Sequence, residues 1–423
     1  MLGLSTRRLS RALAGWGDIP RMRLRLFAAA MLASVLLPRA AVADPFEDCL
    51  ATLRSSRRAQ SISAATWDHL RGVRPDTLVL AQLNAQPEFT LPVWDYLAVM
   101  VDSERVLDGM RLMAQHRAMF DTVARRYSVD ASVLAAVWGI ESNFGRGQGT
   151  FSVLRSLATL SCAGRRQTYF RGELLAALRI VQAGHVSAES FRGSWAGAFG
   201  QTQFMPGVFW WRGVDFDGDG RHDLIENAGD ALASAANYLH QSGWRANRPW
   251  GFEVRWPAAD SGRTQMRGEG RRVRHPLSHW VALGFERVDG TRLALSAVDS
   301  LLEAGLFLPA GIAGPRFLVT SNFSAVFSYN ASESYTLAIL HLADRLRGGS
   351  PFVTPWPTDD PGLSRADRRE LQTLLLARGH EIGAVDGLLT PRTRMAVRVE
   401  QLRLGHAATG RPGQRLLTAL RAP

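Results

Sequence analysis

The sequence predicts a mainly α protein of α+β type, helical through most of its length, with a small β-rich insert and a compact helical module at its end. Three observations predict it. Apolar residues recur at helical spacing along the stretch Asp130–Thr150, as Val133, Val137, Ile140 and Phe144. Over residues 251–298 that spacing gives way to short alternating runs such as Phe252-Glu253-Val254-Arg255-Trp256. Gly348 to Leu363 is rich in Gly, Pro, Ser and Asp and reads as a linker, after which helical patterning resumes over 364–423.

In chain order, the first element is an export signal. Arg21, Arg23 and Arg25 flank Met22 and lead into the apolar run Leu26–Leu37, followed by the small-residue cleavage pattern Ala41-Val42-Ala43. Residues 1–43 are therefore read as a signal peptide, with Met22 as an alternative start. The run is shorter than the roughly 20 residues that span a bilayer, so no integral membrane anchor is expected. Residues 46–130 read as helices broken by polar turns, with an extended loop from Gln86 through Trp94 and Tyr96. One helix is expected over Leu107–Tyr127, another over 166–183, another over 230–242 closing at Gly243, and another over Ser332–Leu346. Gly193–Gly207 is a glycine- and aromatic-rich loop leading into a helix.

The formal charge is +12, and every one of the 50 basic residues is arginine. Seven of these arginines and one aspartate lie in residues 1–43, so the chain from Asp44 carries about +6. The arginines are scattered rather than gathered in a stripe, which argues against nucleic-acid binding. A moderately basic exported chain suits an anionic cell-wall polymer. Cys49 and Cys162 are the only cysteines. In an oxidising compartment they can form one disulfide tying the N-terminal segment to the core; two separate buried thiols are the alternative. Cys49 follows Phe46-Glu47-Asp48 rather than a lipobox, so lipid anchoring is not expected.

Glu141 is the odd residue of the Asp130–Thr150 helix. Val137, Trp138, Phe144 and Gly145 are its neighbours one turn away, with no cation among them. A carboxyl group in apolar surroundings keeps its proton to higher pH, as a general acid requires. Ser132 or Asp130 can cap the helix start, and Gly145, Gly147 and Gly149 end it. Downstream, Ser194 and Gln203 offer groups for sugar hydroxyls, and Trp195, Phe199 and Phe204 offer apolar faces; a tight helix–helix contact would use the same residues.

Ile140-Glu141-Ser142-Asn143-Phe144-Gly145, Ser156-Leu157-Ala158-Thr159-Leu160-Ser161, Tyr169-Phe170 and Gly172-Glu173-Leu174 resemble the lytic murein transglycosylase B family. So do Gly193-Ser194-Trp195-Ala196-Gly197, Gly200 with Gln203-Phe204-Met205-Pro206, Asp230-Ala231 with Ala236-Asn237-Tyr238, and Tyr329-Asn330 with Ser332 and Tyr335. The segments follow the family's order across residues 46–346. The resemblance implies a lysozyme-like transglycosylase core over 44–347 that cleaves the β-1,4 bond between N-acetylmuramic acid and N-acetylglucosamine. It implies Glu141 as the single acid/base, and Ser194, Gln203, Tyr329, Asn330 and Tyr335 as cleft residues. Two departures stand out: Ser142-Asn143-Phe144 where Thr-Arg-Trp is common, and Gln201-Thr202 where Tyr-Gly is frequent. Glu173 is the nearest rival carboxylate and is read as structural, packing its helix against that of Glu141.

The implied chemistry needs no cofactor. A glycosidase ordinarily uses two carboxylates. Here Glu141 would protonate the leaving oxygen and then take the proton of the muramic acid C6 hydroxyl, closing a 1,6-anhydro ring. The implied partners are peptidoglycan glycan strands, with cell-wall synthesis or division proteins as further candidates, and the implied place is the periplasm. A hydrolytic muramidase on the same core and a non-catalytic wall-binding scaffold are the alternatives.

The loop Asp215-Phe216-Asp217-Gly218-Asp219-Gly220-Arg221-His222-Asp223-Leu224-Ile225-Glu226 matches the EF-hand pattern D-x-D-x-D-G-x5-E. Asp215, Asp217 and Asp219, the Arg221 carbonyl and Glu226 form the donor set for a structural calcium ion; a metal-free Asp/Gly turn is the alternative. The resemblance moves the last carboxylate to Asp230. The tail, through Leu371, Leu374, Leu375, Gly379, Gly383, Asp386-Gly387, Thr393, Ala396-Val397 and Gln401, resembles a three-helix peptidoglycan-binding domain. Thr390 stands where that domain has Gly, and Glu400 precedes Gln401.

Overall fold

The computed structural model describes residues 44–84, 87–257, 270–293 and 296–422. The expected export signal, with both candidate starts, lies outside the described residues, as does Gln86. Among the described residues no helix is long and apolar enough to cross a membrane.

Helix α1 (Pro45–Arg54) starts on Asp44, whose carboxylate accepts from the Phe46 amide at 2.9 Å. Short turns follow until α2 (Val93–Met100). The extended loop expected there is instead helical, at Pro87–Thr90 and in α2. Proline is tolerated at a helix start, so Pro87 and Pro92 open these helices rather than exclude them. Helices α3 (Ser103–Gln115) and α4 (Arg117–Tyr127) replace the single helix expected over Leu107–Tyr127. The break falls at His116, whose φ of −105° and ψ of 28° leave the helical region.

Helix α5 (Ala131–Ser142) is the axis of the first core. Every residue from Ser132 to Gly139 is buried, so the helix is enclosed all round rather than on one face. Neither proposed cap acts: among the described residues the Asp130 side chain makes no capping bond and the buried Ser132 hydroxyl has no partner. Helices α6 (Val153–Cys162) and α7 (Gln167–Gln182) form the second core with α1 and α8 (Pro206–Arg212). Cys49 of α1 and Cys162 of α6 are joined by a disulfide, with Cα atoms 5.8 Å apart. Helix α9 (Ala228–Gln241) lines both cores, contributing Leu232 and Leu239 to the first and Ala231 to the second.

Two short strands, β1 (Phe151–Ser152) and β2 (Arg192–Gly193), pair antiparallel. At Gly149, with φ +94°, a Cβ would lie 2.2 Å from the Gly193 carbonyl, so only glycine lets these segments approach. The insert is a five-stranded antiparallel sheet of β3 (Gly251–Arg255), β4 (His275–Pro276), β5 (Glu286–Arg287), β6 (Glu303–Phe307) and β7 (Phe317–Val319), in the order β4-β6-β7-β3-β5. It extends beyond residue 298. Strands β6 and β7 are almost wholly buried and do not alternate, so they carry no period-two signal.

Helices α10 (Ser321–Phe327) and α11 (Glu333–Leu346) return to the first core. Residues 348–363 form a fitted strap. Phe352 stacks on buried His341 with ring centres 3.8 Å apart, and the Glu253 carboxylate accepts from the Val353 and Thr354 amides at 2.9 and 2.7 Å. The C-terminal module is α12 (Arg365–Ala377), α13 (Pro391–Arg403) and α14 (Gln414–Arg421) around Leu371, Leu375, Val397, Leu416 and Leu417. Thr390 caps α13 by accepting from the Thr393 amide at 3.2 Å, which accounts for threonine in place of glycine. Buried Glu400 receives His380 and Arg403, each at 2.8 Å.

Candidate active site

The end of α5 is a reversal built on left-handed backbone. Asn143, Phe144 and Gly145 take φ of 50°, 60° and 82° in succession. Two of these are not glycine, and such strain persists only where surroundings fix it. The Phe144 amide donates to the Trp138 carbonyl at 3.1 Å, folding the chain back over the helix end. The Ser142 hydroxyl donates to the Gln201 carbonyl at 2.6 Å and accepts from the Gly145 amide at 2.9 Å. The Gln201 side chain accepts from Trp138 Nε1 at 2.9 Å and donates to the Ile225 carbonyl at 3.0 Å. The two departures from the family pattern, at Ser142 and Gln201, thus bond to each other.

Glu141 is half-buried at this corner. The Tyr335 phenol, on α11, donates to Glu141 Oε1, so the setting is not purely apolar. Tyr329 stacks near Tyr335 with ring centres 6.5 Å apart and donates to the Thr202 carbonyl at 2.7 Å. Burial drives both phenols well above their ordinary pKa, and the Glu141 charge pushes them further the same way. They remain protonated donors across the physiological range. Phe204 and Tyr238 pack on Tyr329 at 5.7 and 4.9 Å.

Gln203 adopts φ 49°, and its NH2 group donates to the Gln148 and Gly200 carbonyls at 3.0 and 2.8 Å. Its amide oxygen makes no hydrogen bond among the described residues. Ser194 closes its own turn: its hydroxyl accepts from the Ala198 amide at 3.0 Å. Asn330 is half-buried in the turn before α11. Glu141, Tyr335, Tyr329 and the Thr202 carbonyl therefore form one connected group, and Ser194 and Asn330 lie on flanking turns. The sequence reading missed Trp138, Ser142 and Gln201 as supports, since their partners lie about sixty positions away. Glu173 is structural, but its partner is different: it accepts from the Gly207 amide at 2.7 Å and so holds α8 rather than α5.

Asp215, Asp217 and Asp219 present carboxylate oxygens within 4.8 Å of one another. Both Asp215 oxygens accept loop amides, Gly218 at 2.7 Å and Gly220 at 2.8 Å, which holds this carboxyl below its ordinary range. Asp230 is fully buried and accepts from the Phe216 and Asp223 amides at 2.8 and 2.7 Å; burial raises its pKa against those bonds. Glu226 is exposed and stands outside the cluster, and the Arg221 side chain reaches away to the His185 carbonyl at 3.2 Å. The three clustered oxygens are a hard donor set suited to calcium, with Asp230 securing the loop from beneath.

The C-terminal module is docked behind this corner by arginines. Arg365 donates to both oxygens of buried Asp102 at 2.5 and 3.0 Å and to Asn143 Oδ1 at 2.9 Å, two residues from Glu141. Arg411 grips buried Asp95 at 2.6 and 2.8 Å and Asp360 at 2.9 Å.

A helical core with a carboxylate at the end of an enclosed helix, held by a tyrosine from a facing helix, has the architecture of a lysozyme-like fold. The family model for the transglycosylase SLT domain matches residues 45–344, and that for a peptidoglycan binding domain matches 364–420. The chain belongs to the transglycosylase SLT family. It is similar to SltB3 from Pseudomonas aeruginosa in complex with NAG-anhNAM-pentapeptide, at 46% identity and TM-score 0.69, covering 89% of this chain and 99% of that one. The same protein in complex with NAG-NAM-pentapeptide matches at 47% identity, with the same coverage and TM-score. Membrane-bound lytic murein transglycosylase B from Escherichia coli (strain K12) is 29% identical over 248 residues, 58% of this chain. The chain spans 65% of the length of that relative.

Proposed function

We propose that the protein is a peptidoglycan lytic transglycosylase, and that it cleaves the bond between N-acetylmuramic acid and N-acetylglucosamine and leaves 1,6-anhydro ends. The observation that carries this reading is Glu141 at the α5 corner with the Tyr335 phenol on one oxygen. Tyr335 fixes the carboxyl group at the end of α5. Protonated Glu141 donates to the glycosidic oxygen, and the bond to the muramic acid anomeric carbon breaks as oxocarbenium character develops. The carboxylate then accepts the C6 hydroxyl proton as that oxygen closes on the anomeric carbon. The internal hydroxyl has a high effective concentration, which favours ring closure over attack by water. The Gln203 amide oxygen is a fitting acceptor for a sugar hydroxyl or N-acetyl N–H, with Ser194 and Asn330 on the cleft margins.

The export signal and the Cys49–Cys162 disulfide support action in the periplasm, in wall turnover. The Asp215, Asp217 and Asp219 oxygens would hold a structural calcium ion, with no part in the chemistry.

Digestion of purified sacculi tests the reading through product masses. Muropeptides lighter by one water, with anhydro ends, are expected; hydrated reducing ends would show a muramidase, and no release would show a scaffold.

A further inference from the structure

Where the C-terminal module meets the main body there is a cavity of about 190 Å3. Leu91 and Asp95 lie on the body side; Arg368 of α12, Leu389, Arg394 of α13 and Arg411 lie on the module side. The charges are unequally matched. Arg411 and Asp95 neutralise one another through two hydrogen bonds. Arg368 and Arg394 have no side-chain hydrogen bond or ion pair among the described residues, and Arg368 Nε is buried without a partner. The two guanidinium groups act on each other: burial and the Arg394 charge pull Arg368 down to about 10, still fully charged at neutral pH.

Both arginines are half-buried, and the one carboxylate in the lining, Asp95, attracts Arg368 but is already bonded twice by Arg411; partly desolvated positive charge so little offset is costly. A planar guanidinium matches a carboxylate in shape and charge and binds it through paired N–H bonds. Small-molecule pockets usually measure about 300–1,000 Å3, so this one suits the end of a chain rather than a disaccharide. We propose that the cavity is a carboxylate-binding site, lined by Arg368 and Arg394, that takes the free C-terminal carboxylate of a peptidoglycan stem peptide. The assignment of the ligand rests on the proposed function. Because body and module each supply a wall, a bound stem end pins the two together.

The test is titration of the full chain with N-acetyl-D-alanyl-D-alanine and with its C-terminal amide, alongside acetate and inorganic phosphate, read by calorimetry. The acid is expected to bind at least tenfold more tightly than the amide or either small anion. Arg394→Gln, and the double variant Arg368→Gln with Arg394→Gln, are expected to lose that preference at least tenfold. Arg394→Gln alone decides the matter should the double variant fail to fold. Equal binding of acid and amide, retained preference in Arg394→Gln, or phosphate or acetate bound as tightly as the peptide acid would overturn the site. Sacculus digestion on the same preparations separates the two readings. Anhydro products without acid-selective binding remove this site and leave the activity standing; acid-selective binding with hydrated products does the reverse.

Discussion

Two unlike regions meet at Asn143. On one side is the corner of α5, where Glu141 is held by a phenol and by strained backbone. On the other is the dock of the C-terminal module, where Arg365 reaches past Asp102 to the Asn143 side chain. At the corner a neutral donor, the Tyr335 phenol, bonds the carboxylate. The dock does the opposite and matches arginine to aspartate, with Asp102 and Asp95 both buried. A group that must gain and lose a proton is poorly served by a fixed counter-charge, which would hold it ionised. A group that must hold two units in one geometry gains from a directional, bidentate pair. The same chain thus uses carboxylates in two ways, and the difference lies in what faces them.

The largest expected effect breaks the first region alone. Glu141→Gln removes the proton donor but keeps an oxygen for Tyr335 to bond. Release of soluble muropeptides from sacculi is expected to fall by roughly 100- to 10,000-fold, the usual contribution of a general acid, while the thermal midpoint holds or rises. Undiminished release would take Glu141 out of the chemistry.

Breaking the second region is expected to read out as stability. Asp102→Ala leaves Arg365 without its carboxylate and removes the side-chain cap that accepts from the Arg105 amide at 2.8 Å. Truncating one partner of a buried pair costs about 3–5 kcal/mol, to be measured as a fall in urea midpoint, with less than tenfold loss of muropeptide release below the transition. A large loss of activity in the folded protein would show that the dock also sets the α5 corner through Asn143.

The two regions were also unequally legible. Glu141 stands out in the sequence because nothing around it in the helix is charged, and the Asp215 loop and the tail repeat recognisable spacings. Asp102 reads only as an ordinary helix cap, and its partner lies 263 residues away. No periodicity marks such a pair, since long-range ion pairs depend on how finished elements pack. The same holds for the break at His116, where no proline or glycine signals it, and for β6 and β7, whose burial on both faces erases alternation. The strap over 348–363 has linker composition, yet its Phe352 and Trp356 are packing residues.

A third, smaller effect lies under that strap. Burial and the nearby Arg345 charge depress the His341 pKa to about 3, so the folded state keeps this ring neutral. The unfolded chain binds a proton below about pH 6.5 that the folded chain does not. This stabilising contribution is therefore complete above that pH and is lost as pH falls towards 3, at up to about 1.4 kcal/mol per pH unit. Thermal midpoints of the protein and of His341→Phe, which keeps a ring against Phe352, are expected to diverge less at pH 7 than at pH 5. The variant should be the less acid-sensitive of the two.

The smallest effect sharpens what the dock depends on. Arg369 pairs with Glu104 beside the Arg365–Asp102 pair, but both side chains are more than a third exposed, at 37% and 42%. Water and salt screen such a pair, and fixing two long side chains offsets much of the attraction. Arg369→Gln is expected to lower stability by less than about 1 kcal/mol, and the difference should shrink further in high salt. If the dock were a diffuse attraction between charged surfaces, Arg369→Gln and Asp102→Ala would weaken it comparably and both would fade with salt. If it is a buried, directional contact, only the Asp102 loss persists at high ionic strength, because a desolvated pair lies beyond the reach of screening ions.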